Sequence, residues 1–145
     1  ARPLLTMHPV AALPPYALLP ARHALAAAPS VSLAELAQSP LLLINLPQSR
    51  EYFLSLFREA GVVPTVNYEL ASIELVRSMV ANGHGVSVLT TRPVVDRTHD
   101  GKRLLCKRIK GRVAKQAVVL SVPRSNASAL IAPFLTVAKS VIAPD

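Results

Sequence analysis

The run LLLINL, residues 41–46, shows no alternation of apolar with polar side chains. A strand with one wet face alternates, so this run predicts a strand covered on both faces. The covering element follows at once. Pro47-Gln48-Ser49 turns into REYFLSLFREAG, where Tyr52, Phe53, Leu56, Phe57 and Ala60 recur at helical spacing and Gly61 supplies a stop. VVPTVNYEL (62–70) is a second strand, weakened at its start by Pro64. Ser72 then caps a helix with Ile73, Val76, Met79 and Val80 on one face, and GVSVL (85–89) forms a third strand. Strand–helix–strand–helix–strand predicts parallel pairing with right-handed crossovers, which makes the class α/β.

The flanks extend this pattern. Tyr16 to Leu19 reads as a short buried strand stopped by Pro20. Ser32 with Glu35 three residues on forms a capping box for a short helix that Pro40 ends. After a loop over 90–101, with Pro93 and the turn-forming Asp100-Gly101, comes a basic strand and then AVVLSVP (117–123), read as another fully apolar strand. Asn126 or Ser128 starts a last helix with Leu130, Ile131, Phe134, Leu135, Val141 and Ile142 on its apolar face, and Pro133 within its first turns.

A length of 145 residues allows one compact domain or pieces of two small lobes. With 51% hydrophobic and 17% charged residues the chain is too apolar for disorder. No apolar run approaches the ~18 residues of a membrane span, so no membrane association is expected. Pro14, Pro15, Pro20 and Arg22 interrupt the N-terminal region before it could form a signal-peptide core. Cys106 is the only cysteine, which excludes an internal disulfide and a thiolate metal cluster and fits a reducing, cytoplasmic compartment.

The net charge is +8, and Lys102, Arg103, Lys107, Arg108, Lys110, Arg112 and Lys115 lie in one stretch without an acid. Such a stretch can be an anionic-partner surface or a solvated edge strand. No aromatic side chain interleaves the charges as a base-stacking platform needs, so the edge strand is the expectation.

Catalytic patterns are absent. There is no G-x-S-x-G elbow, phosphate-loop Gly-Lys pair, G-x-G-x-x-G or H-E-x-x-H, and His8, His23, His84 and His99 lack ligand spacing. Cys106 has no identifiable base beside it. No enzymatic activity, metal or cofactor is expected.

Open α/β sheets bind ligands beyond the carboxyl ends of their strands, where helix starts present N–H groups and the positive dipole end. Two junctions have that direction. Strand 41–46 delivers Gln48 and Ser49 to one helix start, where Arg50 could add charge, and strand 65–70 delivers Ala71 and Ser72 to the other. Each offers a hydroxyl and amides suited to a carboxylate or similar small polar ligand. ANGHG (81–85) runs the opposite way, from helix into strand, and reads as a scaffold turn in which Asn82 or Gly83 takes the left-handed cap conformation.

The order of segments resembles the effector-binding domain of LysR-type transcriptional regulators. YALLPARHALA (16–26) is similar to the family's strand ending in His-Pro-Leu-Ala, with His23-Ala24 in place of His-Pro. SLAELAQSPLLL (32–43) matches its helix before the crossover, and ASIELVRSMVANGHGVSVLTTRP (71–93) its Ser…Leu-Val-x-x-Gly-x-Gly-[Ile/Val]-x-x-Leu-Pro signature. The DGKRL turn (100–104) and the closing strand and helix (117–142) fall in the expected order.

The resemblance implies a two-lobed, periplasmic-binding-protein-like (type 2) architecture. In it, residues 1–39 form the tail of a partial first lobe, 40–123 a nearly complete second lobe, and 124–145 a return to the first. It implies a small-molecule effector held between lobes, contacts at Gln48, Ser49, Ala71 and Ser72, and homo-oligomers, either dimers or tetramers. DNA is reached only through an N-terminal winged helix-turn-helix. None precedes Ala1, so the chain reads as an N-terminally truncated fragment. An extracytoplasmic solute-binding protein of the same two-lobed fold is the alternative.

Overall fold

The computed structural model describes residues 4–124 and 128–142. In chain order its elements are β1 (Leu5–Leu13), β2 (Tyr16–Pro20), β3 (Ser30–Val31), α1 (Leu33–Leu36), β4 (Leu41–Ile44) and α2 (Ser49–Glu59). They continue as β5 (Val66–Leu70), α3 (Ile73–Ala81), β6 (Ser87–Leu89), β7 (Leu104–Ile109), β8 (Gln116–Pro123) and α4 (Ile131–Ile142). Contacts divide the chain into two compact units, residues 15–114 and the two outer segments. The resemblance placed lobe boundaries at 39/40 and 123/124; the contact boundaries fall at 14/15 and 114/115.

In the 15–114 unit a four-stranded sheet runs β3-β7-β2-β6, and β4 pairs with β5. A parallel bridge between Leu41 and Val86 joins the two at β6. The Leu42 amide donates to the Val86 carbonyl at 2.8 Å, and the Val86 amide to the Pro40 carbonyl at 2.9 Å. All four residues of β4 are buried, and α2 and α3 both pack against it, as the unbroken apolar run requires. Phe53, Leu56 and Phe57 of α2, with Val76 and Val80 of α3, complete the core with Tyr16 to Leu19 of β2.

Parallel pairing holds for β4 with β5 and for β3 with β7, but β2 is antiparallel to both β6 and β7. The sheet is therefore mixed: the expected strand–helix alternation covers only 41–89, and the flanking strands return by other routes. The basic strand is not an edge along its whole length. β7 lies between β2 and the two-residue β3, and several charges in and beside it have structural work. Lys107 Nζ donates to the Ala26 carbonyl at 2.6 Å, Lys110 reaches Glu35 at 3.4 Å and Arg103 meets Asp96 at 3.2 Å.

Local signals are realised atom by atom. Ser32 Oγ accepts the Glu35 amide at 3.1 Å, and Glu35 Oε2 accepts the Ser32 amide at 2.7 Å, a complete capping box. Ser32→Ala is expected to lower stability by about 1 kcal/mol in urea unfolding. The Ser32 amide and hydroxyl hold the Glu35 carboxyl below its usual range. With the folded pKa depressed, the capping contribution is present above the ordinary carboxylate range and lost as pH falls through the folded value. Helix α2 ends in a left-handed Gly61, φ 70°, with the Val62 amide on the Phe57 carbonyl at 2.9 Å.

The second unit pairs β1 with β8 antiparallel over Leu5–Leu13, and α4 packs on β1. The residues of β1 precede every strand expected from the sequence. β8 was expected to be fully apolar and covered; its burial instead alternates between half-buried and exposed, because it belongs to a two-stranded ribbon. No residue of α4 is buried, and Phe134 remains 57% exposed, so the expected apolar face of this helix lacks cover among the described residues. The Ser128 hydroxyl accepts the Leu130 amide at 3.3 Å at the start of this helix, while Asn126, the other candidate start, lies outside the described residues.

Candidate functional site

The two candidate junctions leave the same end of adjacent strands. β4 and β5 are parallel with Ile44 opposite Leu70, so the chain exits both strands in one direction into α2 and α3. The Asn45 amide donates to the Leu70 carbonyl at 2.7 Å, locking the two strand ends together. Gln48, Ala71 and Ser72 are exposed there, and Ser49 is half-buried.

Gln48 is the N-cap of α2 and has φ 67° and ψ −30°, with no side-chain cap hydrogen bond. Among the described residues it is the one non-glycine with positive φ. Such a backbone costs on the order of 1–3 kcal/mol and persists where the surroundings impose it, often at ligand sites. The Leu46 carbonyl accepts the amides of both Ser49, at 3.1 Å, and Arg50, at 3.3 Å, so a tight turn feeds the helix.

Ser72 caps α3 conventionally. It is extended at φ −126° and ψ 124°, and its Oγ accepts the Leu75 amide at 3.3 Å. The Ile73 and Glu74 amides have no protein acceptor among the described residues, which leaves two donors at the positive end of a nine-residue helix.

Arg50 does not supply the free charge expected of it. Its Nε and Nη2 donate to the two oxygens of Glu69 at 3.1 and 2.9 Å, and Nη1 reaches Glu51 at 2.8 Å. Asn45 Nδ2 adds a third donor to Glu69 at 3.0 Å. The Arg50 fork therefore holds the Glu69 carboxyl below its ordinary pKa. Glu69 and Asn45 were missed as site residues, because nothing in a linear sequence shows that positions 45, 50 and 69 meet across paired strand ends.

The sequence singles out no role for Arg77. It is 7% exposed: Nη1 donates to Glu74 at 2.7 Å, and Nη2 to the carbonyls of Val95 at 3.1 Å and Arg97 at 3.2 Å. It thus pins the 90–101 loop to α3. Tyr16 closes the loop's other end by donating to the Thr91 carbonyl at 2.7 Å, and Arg92 lies over its ring at 5.6 Å. Cys106 is half-buried, and that burial pushes its thiol pKa up, away from a reactive thiolate.

The opposite end of α3 confirms the scaffold reading of ANGHG. Gly83, at φ 84°, takes the left-handed position, and Asn82 does not. The Gly83 amide donates to the Val80 carbonyl at 2.9 Å and the His84 amide to the Met79 carbonyl at 3.1 Å, the paired bonds of a Schellman cap. His84 is exposed.

Residues 1–143 match the family model described as the LysR substrate binding domain. Among curated proteins no sequence matches. Among solved structures, HinK, a LysR family transcriptional regulator from Pseudomonas aeruginosa, is 32% identical with a TM-score of 0.89; the alignment covers 97% of this chain and 50% of that one. The C-terminal domain of a Rhodococcus sp. RHA1 protein assigned to the LysR regulators is also 32% identical, with a TM-score of 0.83, covering 92% of this chain and 67% of that one. The regulatory domain of Synechocystis PCC6803 CcmR, in complex with 2-PG, shares the fold at 20% identity and TM-score 0.76, covering 99% of this chain and 71% of that one. This chain thus spans about half the length of HinK. The α/β fold is the two-lobed, periplasmic-binding-protein-like type 2 fold of these domains, and the chain belongs to the LysR substrate binding domain family.

Proposed function

We propose that the chain is the effector-sensing part of a LysR-type, DNA-binding transcriptional regulator. In this reading the junctions at Gln48, Ser49, Ala71 and Ser72 seat a small anionic effector, a carboxylate suiting them best. The observation that carries it is the positive φ of Gln48, beside a second helix start on the same end of adjacent parallel strands. The unit 15–114 acts as the second lobe, and the outer segments contribute to the first. Sensing requires only that the effector bind one arrangement of the regulator more tightly than another. DNA contact belongs to a winged helix-turn-helix of the full regulator, which acts in the cytoplasm as a homodimer or homotetramer. No helix among the described residues is long and apolar enough to cross a membrane.

A binding role rather than catalysis is supported by the raised thiol pKa of Cys106 and by seats built from amides and hydroxyls without a base. The 32% identity to HinK favours the regulator over a solute-binding protein of the same fold.

A thermal-shift screen of small carboxylates and aromatic acids tests the proposal. A ligand at about 100 times its Kd adds about 2.7 kcal/mol of stability and raises the melting temperature. Ser72→Ala, measured against its own unliganded baseline, is expected to weaken that ligand by about tenfold, as expected for loss of a hydrogen bond to a charged group. Glu69→Gln is expected to strengthen it several-fold, because Arg50 is released from its carboxylate partner. A ligand whose affinity neither variant changes would place effector binding elsewhere.

A further inference from the structure

Three motifs that the junction site leaves unused meet in space. Residues of ARHAL, ANGHG and GKRL, far apart in sequence, line a single groove of about 730 Å³ at the C-terminal end of α3. That is the end opposite Ser72, and the volume lies within the ~300–1,000 Å³ typical of small-molecule sites. The polar part of the wall is Arg22, His23, Asn82, Lys102 and Arg103; the remainder is proline, alanine and glycine, whose short side chains leave the space open. No aspartate or glutamate lines it.

The cations there differ in how far their charges are balanced. Arg22 is exposed and forms no ion pair among the described residues. Lys102 Nζ is steered by the side-chain oxygen of Asn82, a neutral partner that leaves its charge intact. Asp100 accepts from the Thr98 hydroxyl and the Asn82 amide, and its carboxylate also attracts the Lys102 charge and offsets part of it. Only Arg103 is paired, with Asp96 at 3.2 Å.

A helix C-terminus ordinarily repels anions, but three of the last-turn carbonyls, those of Ser78, Met79 and Val80, are occupied. Ser78 accepts Asn82 Nδ2 at 2.7 Å, and Met79 and Val80 accept the His84 and Gly83 amides. His23 is fixed as a wall: the Leu25 amide donates to Nδ1 at 3.1 Å, so Nε2 carries the proton and donates to Ser39 Oγ at 2.9 Å.

We propose that this groove binds a small, multiply charged anion, with Arg22 and Lys102 as its principal ligands. The site is separate from the junction seat and does not depend on the proposed function. Calorimetric titration of the 145-residue chain with inorganic pyrophosphate, and separately with citrate, tests it. Saturable one-site binding is expected, weakened about tenfold by Arg22→Glu or Lys102→Glu, the scale of one lost charge-assisted contact. Arg58→Glu, which changes net charge equally on the exposed face of α2, should leave the affinity within about twofold. Tighter pyrophosphate would identify phosphorylated ligands, and tighter citrate polycarboxylates. Three results would overturn the proposal: no saturable binding of either probe, equal weakening by Arg58→Glu, or weakening by Ser72→Ala to match Arg22→Glu. Should Lys102→Glu perturb folding through Asn82, Arg22→Glu still decides, because the Arg22 side chain is exposed.

Discussion

Gly85→Ala is expected to remove about 3–5 kcal/mol of folding stability, combining an unfavourable backbone with a core clash. Gly85 has φ +155°, and a Cβ placed there would lie 2.3 Å from the Pro40 carbonyl oxygen. That same oxygen accepts the Val86 amide at 2.9 Å, so it cannot withdraw without losing one of the backbone bonds that join β4 to β6. The loss is a large part of the ~5–15 kcal/mol available to a domain. Urea unfolding should show a sharply lowered midpoint. Gly83→Ala is the comparison: at φ +84° with nothing within 4 Å, it should cost only ~1–2 kcal/mol. Equal effects of the two substitutions would mean that the Pro40 contact has no weight.

The second large effect is expected at Arg77. Truncation to alanine removes a nearly buried guanidinium that binds Glu74 and two loop carbonyls, at a cost of about 3 kcal/mol. Arg77→Met keeps most of the volume and also removes Nε, which is buried without a partner, so it should cost much less. The two variants separate packing from pinning. In hydrogen exchange both should loosen the 90–101 loop, because neither can hold the carbonyls of Val95 and Arg97. A loop left fully protected in Arg77→Ala would show that other contacts hold it.

Much of this fold is legible in the sequence wherever a local rule coincides with the tertiary outcome. LLLINL marks the doubly covered β4, Ser32 with Glu35 marks the capping box, and the direction of ANGHG marks a helix end. The misses have a common cause in long-range partners. β1 contains Pro9 and reads as no strand, yet it pairs with β8 through a register shift between Pro9 and Ala11. AVVLSVP has the composition of a buried strand, but composition cannot state that it lies in a two-stranded ribbon.

The candidate site divides in the same way. Strand-to-helix direction selects positions 48, 49, 71 and 72 from sequence alone. The neutralisation of Arg50 by Glu69 depends on register between β4 and β5, and the loop-pinning role of Arg77 on carbonyls 18 and 20 residues away. The backbone of Gln48 is a further case, since glutamine carries no signal for positive φ.

The central claim is that a small anionic effector sits on the helix starts of α2 and α3. Backbone amide chemical shifts, followed while a carboxylate found by thermal shift is titrated into the chain, test it most directly. The largest saturable changes are expected at Ser49, Arg50, Ser72, Ile73 and Glu74, with little change at His84 or Gly111. Saturable changes that spare both helix starts would contradict it.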